Sequence, residues 1–290
     1  MPDPLPAWLD REAYPFPAHF FAQPAGQQHY VDVGAGPPIV FVHGNPSWSF
    51  EFRHLIRAFS PSYRCIAVDH LGFGLSEKPT SFSYLPEEHA RNLERLLESL
   101  DLREATLVVY DWGGPIGLSY ALDHPDRIRN LVISNTWMWS VNRVLRFILF
   151  SSFVGGPIGR YRIRKSNYFV RSVMPSAFGD PARLSASAHA QYLNALATPE
   201  DRQGCATFPH QILASSRWLG GLWGRRDRLA GKRVLLAWGM KDVGFGKKEL
   251  GRWMELFPGA NVVRYPDGGH YLAEEKPDEL IAALRGFLGE

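Results

Sequence analysis

Val109-Tyr110-Asp111-Trp112-Gly113-Gly114 joins an apolar run, residues 105–109, to a small-residue segment, residues 115–122, that is typical of a helix start. A buried strand that turns sharply into a helix is the geometry of a nucleophile elbow, whose usual motif is Gly-x-Ser-x-Gly. Asp111 stands at the central position here. The helix N-terminus beneath it would favour the carboxylate anion, which can attack without help from a base. The alternative is that Asp111 only caps the helix, and this stretch alone leaves both readings open.

The composition fits one large α/β domain with an insertion better than two small domains. The chain has 290 residues, of which 45% are hydrophobic and 21% are charged, so it can bury a sizeable core. Its net charge of +3 is too small to indicate a nucleic-acid partner. The 13% aromatic content, with 9 Trp, suits a pocket with apolar walls.

The two cysteines and the termini exclude several other classes. Cys65 lies in an apolar run and Cys205 far along the chain, so we expect reduced thiols and neither a disulfide nor a metal site. The first residues lack the pattern of a secretory signal, and no apolar run reaches membrane-spanning length. We therefore expect a cytoplasmic protein without a membrane span.

Apolar runs alternate with helical patterns along most of the chain. Strands are predicted at residues 19–21, 28–33, 38–42, 65–68, 105–109, 128–135, 234–238 and 260–265, and helices at residues 50–59, 87–100, 115–122 and 277–288. The first two strands form a hairpin, and an irregular surface segment precedes them. This order predicts an α/β-hydrolase fold, with a mostly parallel eight-stranded sheet and helices on both faces.

The alternation stops in the middle of the chain, where the sequence is helical and rich in aromatics. We expect a hydrolase core at residues 1–135 and 227–290 and a helical lid at residues 136–226. Apolar lid side chains should line the pocket, and the candidates, with one from the core, are Phe169, Phe178, Phe208, Pro209 and Tyr271. The basic run at residues 160–165 is expected to be a solvated face, with an acidic partner or sister subunit left open.

Four polar residues follow the ends of predicted strands, namely Asn45, Asp111, Asp242 and His270. The carboxyl ends of parallel strands meet at one edge of a sheet, so these side chains should converge there. Their order of nucleophile, acid and histidine is that of the α/β hydrolases. We expect His270 to be a general base that Asp242 orients, and the backbone N–H groups of Asn45 and Trp112 to form an oxyanion hole.

An aspartate nucleophile limits the reactions that this site could catalyse. A carboxylate is a weak nucleophile towards acyl carbon but suits displacement at an sp3 carbon, which gives an ester that water can cleave. Alkyl halides and epoxides are the substrates implied. A departing halide needs donors, which the Trp112 indole and the Asn45 amide can supply, whereas an epoxide oxygen needs acidic hydroxyls such as lid tyrosines. Tyr161, Tyr168 and Tyr192 leave the epoxide possible.

Several motifs resemble those of the haloalkane dehalogenases over essentially the whole chain. They are His43-Gly44-Asn45-Pro46-Ser47-Trp48-Ser49, Asp111-Trp112-Gly113-Gly114, Gly239-Met240-Lys241-Asp242 and Gly269-His270-Tyr271-Leu272, with lid stretches at residues 169–175 and 198–202. The resemblance implies Asp111 as nucleophile, His270 as base, Asp242 as acid and Asn45 with Trp112 as the halide-stabilising pair. One branch takes its acid from the strand before the lid, where Asn135 cannot serve. Another branch pairs a lid Trp with the elbow Trp in place of Asn. The combination of Asn45 with an acid after the later strand resembles the third branch, subfamily III, whose members tend to self-associate, and the resemblance therefore suggests a homo-oligomer.

The resemblance and the residues together predict hydrolysis of a small apolar haloalkane to an alcohol, a halide ion and a proton, without metal or cofactor. An epoxide hydrolase with the same aspartate nucleophile is the nearest alternative. A fluoroacetate-type dehalogenase is disfavoured because no arginine flanks the elbow. A catalytically idle protein that binds a small ligand is more remote, because it would have no use for Asp111, Asp242 and His270 together.

Overall fold

Eight strands form one sheet in the computed structural model, which describes residues 5 to 289. The strands are β1 (His19–Gln23), β2 (Gly26–Val33), β3 (Pro38–Val42), β4 (Arg64–Val68), β5 (Ala105–Tyr110), β6 (Ile128–Ser134), β7 (Arg233–Gly239) and β8 (Asn261–Tyr265). They lie in the order β1-β2-β4-β3-β5-β6-β7-β8. β2 is antiparallel to β1 and β4, and all other pairs are parallel. The predicted α/β-hydrolase fold is confirmed.

Helices connect the strands and cover the sheet. They are α1 (Arg53–Phe59), α2 (Pro86–Ser99), α3 (Gly113–Asp123), α4 (Leu145–Val154), α5 (Pro157–Ser166), α6 (Met174–Ser176), α7 (Ala186–Ala195), α8 (Gln203–Ala214), α9 (Ser216–Gly224), α10 (Lys247–Leu256), α11 (Leu272–Glu275) and α12 (Pro277–Leu288). Short 3-10 turns and one π turn, Phe169–Val173, complete the connections. Residues 135–232 contain helices and no strand.

The central strands are buried, which explains why their sequences are continuous apolar runs. Every residue of β5 is buried, and so are four of the five residues of β3 and of β4. Strands covered by helices on both faces have no solvent side, so polar and apolar residues do not alternate. At the edge, β1 and β8 are partly exposed and carry more polar residues.

The segment before β1 is packed more tightly than its sequence predicts. Residues 5–18 contain no helix or strand, as expected. However, Leu9, Tyr14 and Phe16 are buried, so the prediction of a surface segment is wrong for these side chains. The Tyr14 ring lies 5.2 Å from that of Trp48, and its hydroxyl bonds the Ser49 hydroxyl at 2.5 Å. The first four residues of this predicted segment lie outside the described residues.

Both cysteines are free and buried, in agreement with the prediction of reduced thiols. Burial raises the pKa of Cys65 to about 12, so this thiol is unreactive at neutral pH. Burial also raises the pKa of Cys205. From residue 5 to residue 289, the helices are all too short or too polar to cross a bilayer.

Candidate active site

Asp111 sits at a strained turn between β5 and α3. Its φ of 45° lies in the left-handed region, which non-glycine residues adopt only where the surroundings hold them there. The Thr136 hydroxyl donates to the Asp111 carbonyl oxygen. A Cβ atom at Gly44 would collide with the Asp111 carboxyl group, so the close approach of the two loops requires glycine. The turn therefore has the shape of a nucleophile elbow.

The Asp111 side chain does not cap the following helix. Its Oδ1 accepts the backbone N–H of Asn45 at 2.7 Å, and α3 has no side-chain cap. Its Oδ2 lies 3.5 Å from Nε2 of His270. The carboxylate is thus held between the loop after β3 and the loop after β8, at the carboxyl edge of the sheet.

His270 and Asp242 form a close pair beside Asp111. Nδ1 of His270 lies 2.7 Å from Oδ2 of Asp242. The other Asp242 oxygen, Oδ1, accepts the backbone N–H groups of Gly244 at 2.7 Å and Phe245 at 3.1 Å. These bonds fix the carboxylate, and through it they fix the orientation of the imidazole. The structure therefore brings together the nucleophile, acid and histidine candidates.

Asn135 supports Asp242. Its amide Nδ2 donates to Oδ2 of Asp242 at 3.0 Å and to the carbonyl oxygen of Gly239 at 3.0 Å, and its Oδ1 accepts the Gly239 N–H at 2.8 Å. From the sequence we expect only that Asn135 cannot be the acid. In the structure this asparagine ties the end of β6 to the loop after β7 and contributes a donor to the carboxylate.

The two carboxylates determine the charge of His270. Burial disfavours the imidazolium, but the charges and hydrogen bonds of Asp242 and Asp111 outweigh burial and raise the pKa of His270 well above its usual value. The imidazolium form of His270 is therefore favoured as long as both carboxylates keep their charge. Any event that neutralises Asp111 removes one of the two anions and lowers this pKa.

The candidate residues share one cavity of about 410 Å³. Asn45, Asp111, Trp112, Asp242 and His270 form its floor together with Tyr271. Its remaining walls are mainly apolar and come from the helical segment and the loop after β7, with Phe147, Phe150, Val154, Phe169, Val173, Pro209, Ile212, Val243 and Phe245. A small apolar molecule could lie over Asp111 here, shielded from water.

Two of the predicted pocket aromatics lie one layer behind the cavity. Phe178 stacks on Tyr271 with ring centroids 5.1 Å apart, and Phe208 packs against Trp112 at 5.1 Å. Neither residue lines the cavity, whereas Phe169, Pro209 and Tyr271 do. Phe178 and Phe208 therefore support the cavity walls from behind.

Three lid tyrosines were candidates for protonating an epoxide oxygen, and they lie in different places. Tyr168 lines the cavity. Tyr161 is 65% exposed on α5, and Tyr192 is fully buried against Phe50. The paired tyrosines that epoxide opening needs are therefore not formed by these three residues.

A buried acidic network lies beneath the elbow, and sequence reasoning missed it. The Tyr110 hydroxyl donates to Oε2 of Glu51 and also bonds the Ser47 hydroxyl. Burial, reinforced by the charge of Glu274, raises the pKa of Glu51 to about 8 although Tyr110 and Ser47 lower it. The signal in the sequence was a single acidic residue between two phenylalanines, Phe50 and Phe52.

Glu51→Gln should remove a pH dependence of stability. The pKa of Glu51 in the folded protein lies above the unfolded value of 4.5. Its contribution to the free energy of unfolding is therefore complete below about pH 4.5 and is lost as the pH rises through about 8. Relative to the glutamine variant, the wild type should lose roughly 5 °C or more in melting temperature between about pH 5 and pH 8. Calorimetry measures this difference. A difference between the wild type and Glu51→Gln that stays constant over this pH range would contradict the network.

Other polar clusters lie away from the cavity. A more open groove of about 960 Å³ runs beside α2, α3 and α9 and contains none of the candidate residues. Within the described range, Glu94, Glu98 and His124 are grouped as potential metal ligands, but His124 already bonds Glu94 at 2.8 Å on the surface. We therefore place the chemistry in the smaller, apolar cavity.

The known proteins that resemble this chain include α/β hydrolases that act on haloalkanes. The model of the α/β-hydrolase fold family matches residues 37–154. Haloalkane dehalogenase 2 of Mycobacterium bovis is 39% identical over 277 residues, which cover 95% of this chain and 96% of that protein. A cis-3-alkyl-4-alkyloxetan-2-one decarboxylase of Shewanella oneidensis is 34% identical over 299 residues, with 95% and 89% covered.

The solved structures agree with the sequence relatives. The crystal structure of the haloalkane dehalogenase DatA from Agrobacterium tumefaciens C58 superimposes with a TM-score of 0.84 at 27% identity, and covers 94% of this chain and 96% of its own. The similarity therefore extends over both the sheet and the helical segment.

Proposed function

Since this chain belongs to the haloalkane dehalogenase family, we propose that it hydrolyses small apolar haloalkanes to an alcohol, a halide ion and a proton, with Asp111 as a covalent nucleophile. The strongest support for this proposal is the position of Asp111 relative to His270. An aspartate at a nucleophile elbow lies 3.5 Å from a histidine in a largely apolar cavity. This arrangement suits displacement at an sp3 carbon followed by hydrolysis of the ester.

In the first step Oδ2 of Asp111 attacks the carbon that carries the halogen. A carbon–oxygen bond forms, the carbon–halogen bond breaks, and the halide leaves with the bonding electron pair. We propose that the Trp112 indole N–H and the Asn45 amide stabilise the departing halide, since both residues line the cavity beside Asp111. The apolar walls would strengthen these interactions by excluding water.

In the second step water attacks the carboxyl carbon of the ester. Alkylation has neutralised Asp111, so the pKa of His270 falls and the imidazole becomes available as a general base. His270 takes a proton from the water as the new carbon–oxygen bond forms, and Oδ1 of Asp111 carries the developing negative charge. The backbone nitrogen of Asn45 already lies 2.7 Å from Oδ1 of Asp111. We propose that the backbone N–H of Trp112 completes the oxyanion hole. When the tetrahedral intermediate collapses, the bond between the carboxyl carbon and Oδ2 breaks and the alcohol leaves with Oδ2 and the proton from His270. The remaining carboxylic acid, which keeps the oxygen of the water, loses its proton to solvent and restores the carboxylate.

Asp242 and the helical segment have supporting roles in the proposal. Asp242 stabilises the imidazolium and holds its orientation, as in the branch with an Asn–Trp halide pair and a late acid. Residues 136–226 act as the lid over a core formed by residues 1–135 and 227–290. The lid residue Ala177 accepts the backbone N–H of His270 at 2.9 Å, which ties lid and base together. We propose no metal or cofactor and a cytoplasmic location.

Halide release from 1-bromobutane and 1,2-dibromoethane is the expected result with purified protein, without added metal or cofactor. Ion chromatography measures the halide. Styrene oxide and a cis-3,4-dialkyloxetan-2-one serve as comparison substrates, because an epoxide hydrolase or a decarboxylase of the Shewanella type would consume them. Turnover of either compound without halide release from the bromides would reject the proposal.

A further inference from the structure

Two successive lid helices present an exposed apolar face. Leu145, Leu149 and Phe153 recur every four residues along α4, so they share one side of it, and they are 69%, 47% and 75% exposed. Ile158 and Tyr161 share one side of the next helix, α5, and are 78% and 65% exposed. These five residues are named the outer lid face. Large apolar side chains are seldom left exposed together unless the surface contacts a partner.

The outer lid face lies on the side of α4 and α5 that points away from the rest of the lid. α4 and α5 are joined by Gly155 and Gly156, and both pack against α8. Gly155 approaches the backbone of α8 so closely that a Cβ atom would collide with His210. The sides of α4 and α5 that face away from α8 therefore lie on the outside of the lid.

The segment of the lid that carries this face has charges of a single sign. Residues 136–179 contain no aspartate or glutamate, although the whole chain is nearly balanced with 32 basic and 29 acidic residues. The charged side chains in this stretch are Arg143, Arg146, Arg160, Arg162, Arg164, Lys165 and Arg171. Arg146 is already paired with Glu249, and the remaining cations give the segment a charge that attracts an anionic surface.

Part of this charge surrounds a shallow cleft on α5. Arg160, Arg164 and Lys165 line it together with Tyr161, and its volume is about 520 Å³. In the part of the chain that the structure describes, these three cations form no ion pair. They are therefore available to bind anionic groups.

The outer lid face lies beside the mouth of the catalytic cavity. The opposite side of α4 lines that cavity through Phe147, Phe150 and Val154. Val243 also lines it and is 79% exposed, so the cavity reaches the surface there. The Arg146 side chain donates to the carbonyl oxygen of Gly244 at 3.3 Å, which places the first turn of α4 at this opening.

We propose that the outer lid face docks on an anionic lipid bilayer, with its apolar side chains in the interface and the basic side chains of α5 against the phosphate groups. A helix that combines exposed apolar residues with arginines and lysines binds membranes in this manner, lying on the surface without crossing it. Docking would place the cavity mouth at the lipid, where apolar substrates dissolve. This last consequence rests on the proposed function, whereas the docking itself does not.

Sedimentation with vesicles tests the docking. The purified full chain should bind phosphatidylcholine vesicles that contain phosphatidylglycerol, bind pure phosphatidylcholine weakly, and dissociate as salt is raised. Arg160→Glu with Arg164→Glu should weaken binding at least about tenfold, since each basic residue near the surface contributes about fivefold. Phe153→Ser with Ile158→Ser should also weaken it. Arg103→Glu with Arg129→Glu, at the amino-terminal ends of β5 and β6, should leave it unchanged.

Several outcomes would overturn the proposal. One is the absence of binding to either vesicle type, and another is equal binding by the lid and control variants. Sedimentation velocity distinguishes a third: self-association that Phe153→Ser with Ile158→Ser abolishes, without vesicle binding, would assign the face to a second copy of this chain. Halide release from 1-bromobutane in vesicle-free buffer is measured in parallel. Vesicle binding without halide release would reject the proposed function alone, whereas halide release without vesicle binding would reject the docking alone.

Discussion

His270→Phe should give a protein that is alkylated once and then stops. The phenyl ring fits the space of the imidazole between Phe245 and Tyr271, whose rings lie 5.8 Å and 4.8 Å away. Asp111 keeps the Asn45 N–H on its Oδ1 and can still displace a halide. Nothing remains to activate water, so turnover should fall by about 10²- to 10⁴-fold.

The trapped ester is the decisive observation. After incubation with 1-bromobutane, mass spectrometry of the digested protein should find a butyl group on the peptide that contains Asp111. One equivalent of bromide should be released per chain, in a burst without steady turnover. This stoichiometry separates a blocked second step from a general loss of activity.

Two further variants control the experiment. Asp111→Asn should form no adduct and release no bromide. His89→Phe replaces another fully buried histidine, whose pKa burial lowers to about 3, and it should leave turnover unchanged. An adduct missing from His270→Phe, or steady turnover by that variant, would rule out the covalent mechanism.

Asn45→Ala should weaken halide stabilisation while leaving the nucleophile in place. Alanine keeps the backbone N–H that binds Oδ1 of Asp111 and removes only the side-chain amide. Loss of one donor to a developing anion costs about 10²- to 10³-fold in turnover. We expect that loss with bromoalkanes, together with weaker bromide binding measured by quenching of tryptophan fluorescence.

The matched control is Asn130→Ala. Asn130 is also buried, but it lies near the start of β6, where its amide donates to Thr106 at 2.9 Å. That variant should lose stability and keep its bromide affinity. Unchanged bromide quenching in Asn45→Ala would remove Asn45 from the halide site, and equal loss in both variants would point to a general structural effect.

The position of the candidate site could be predicted because it depends on strand ends. β3, β5 and β7 are short apolar runs and β8 is a short Val-Val run, each followed by a polar or glycine-rich turn, so their carboxyl ends could be located within a residue or two. Parallel strands bring those ends to one edge. Asn45, Asp111, Asp242 and His270 therefore follow from local pattern and one topological rule.

The buried network under the elbow could not be predicted in this way. Glu51 and Tyr110 are 59 residues apart, and only the packing of the turn before α1 beneath the end of β5 brings them together. The pKa of His270 likewise depends on two carboxylates that reach it from different loops. Long-range proximity of this kind has no period and no motif in the sequence.

The sequence by itself determined the α/β order of elements, the aspartate at the elbow and the polar residues after the strands, because these depend on local hydrophobic pattern and chain order. Only the tertiary structure decided which lid side chains face the cavity. It put Phe169 and Pro209 on the wall, Phe178 and Phe208 behind it, and Phe153 on the outside. For Phe153 the physical reason is that α4 is apolar on both sides, so its sequence has no polar face to show which side packs against α8 and the cavity.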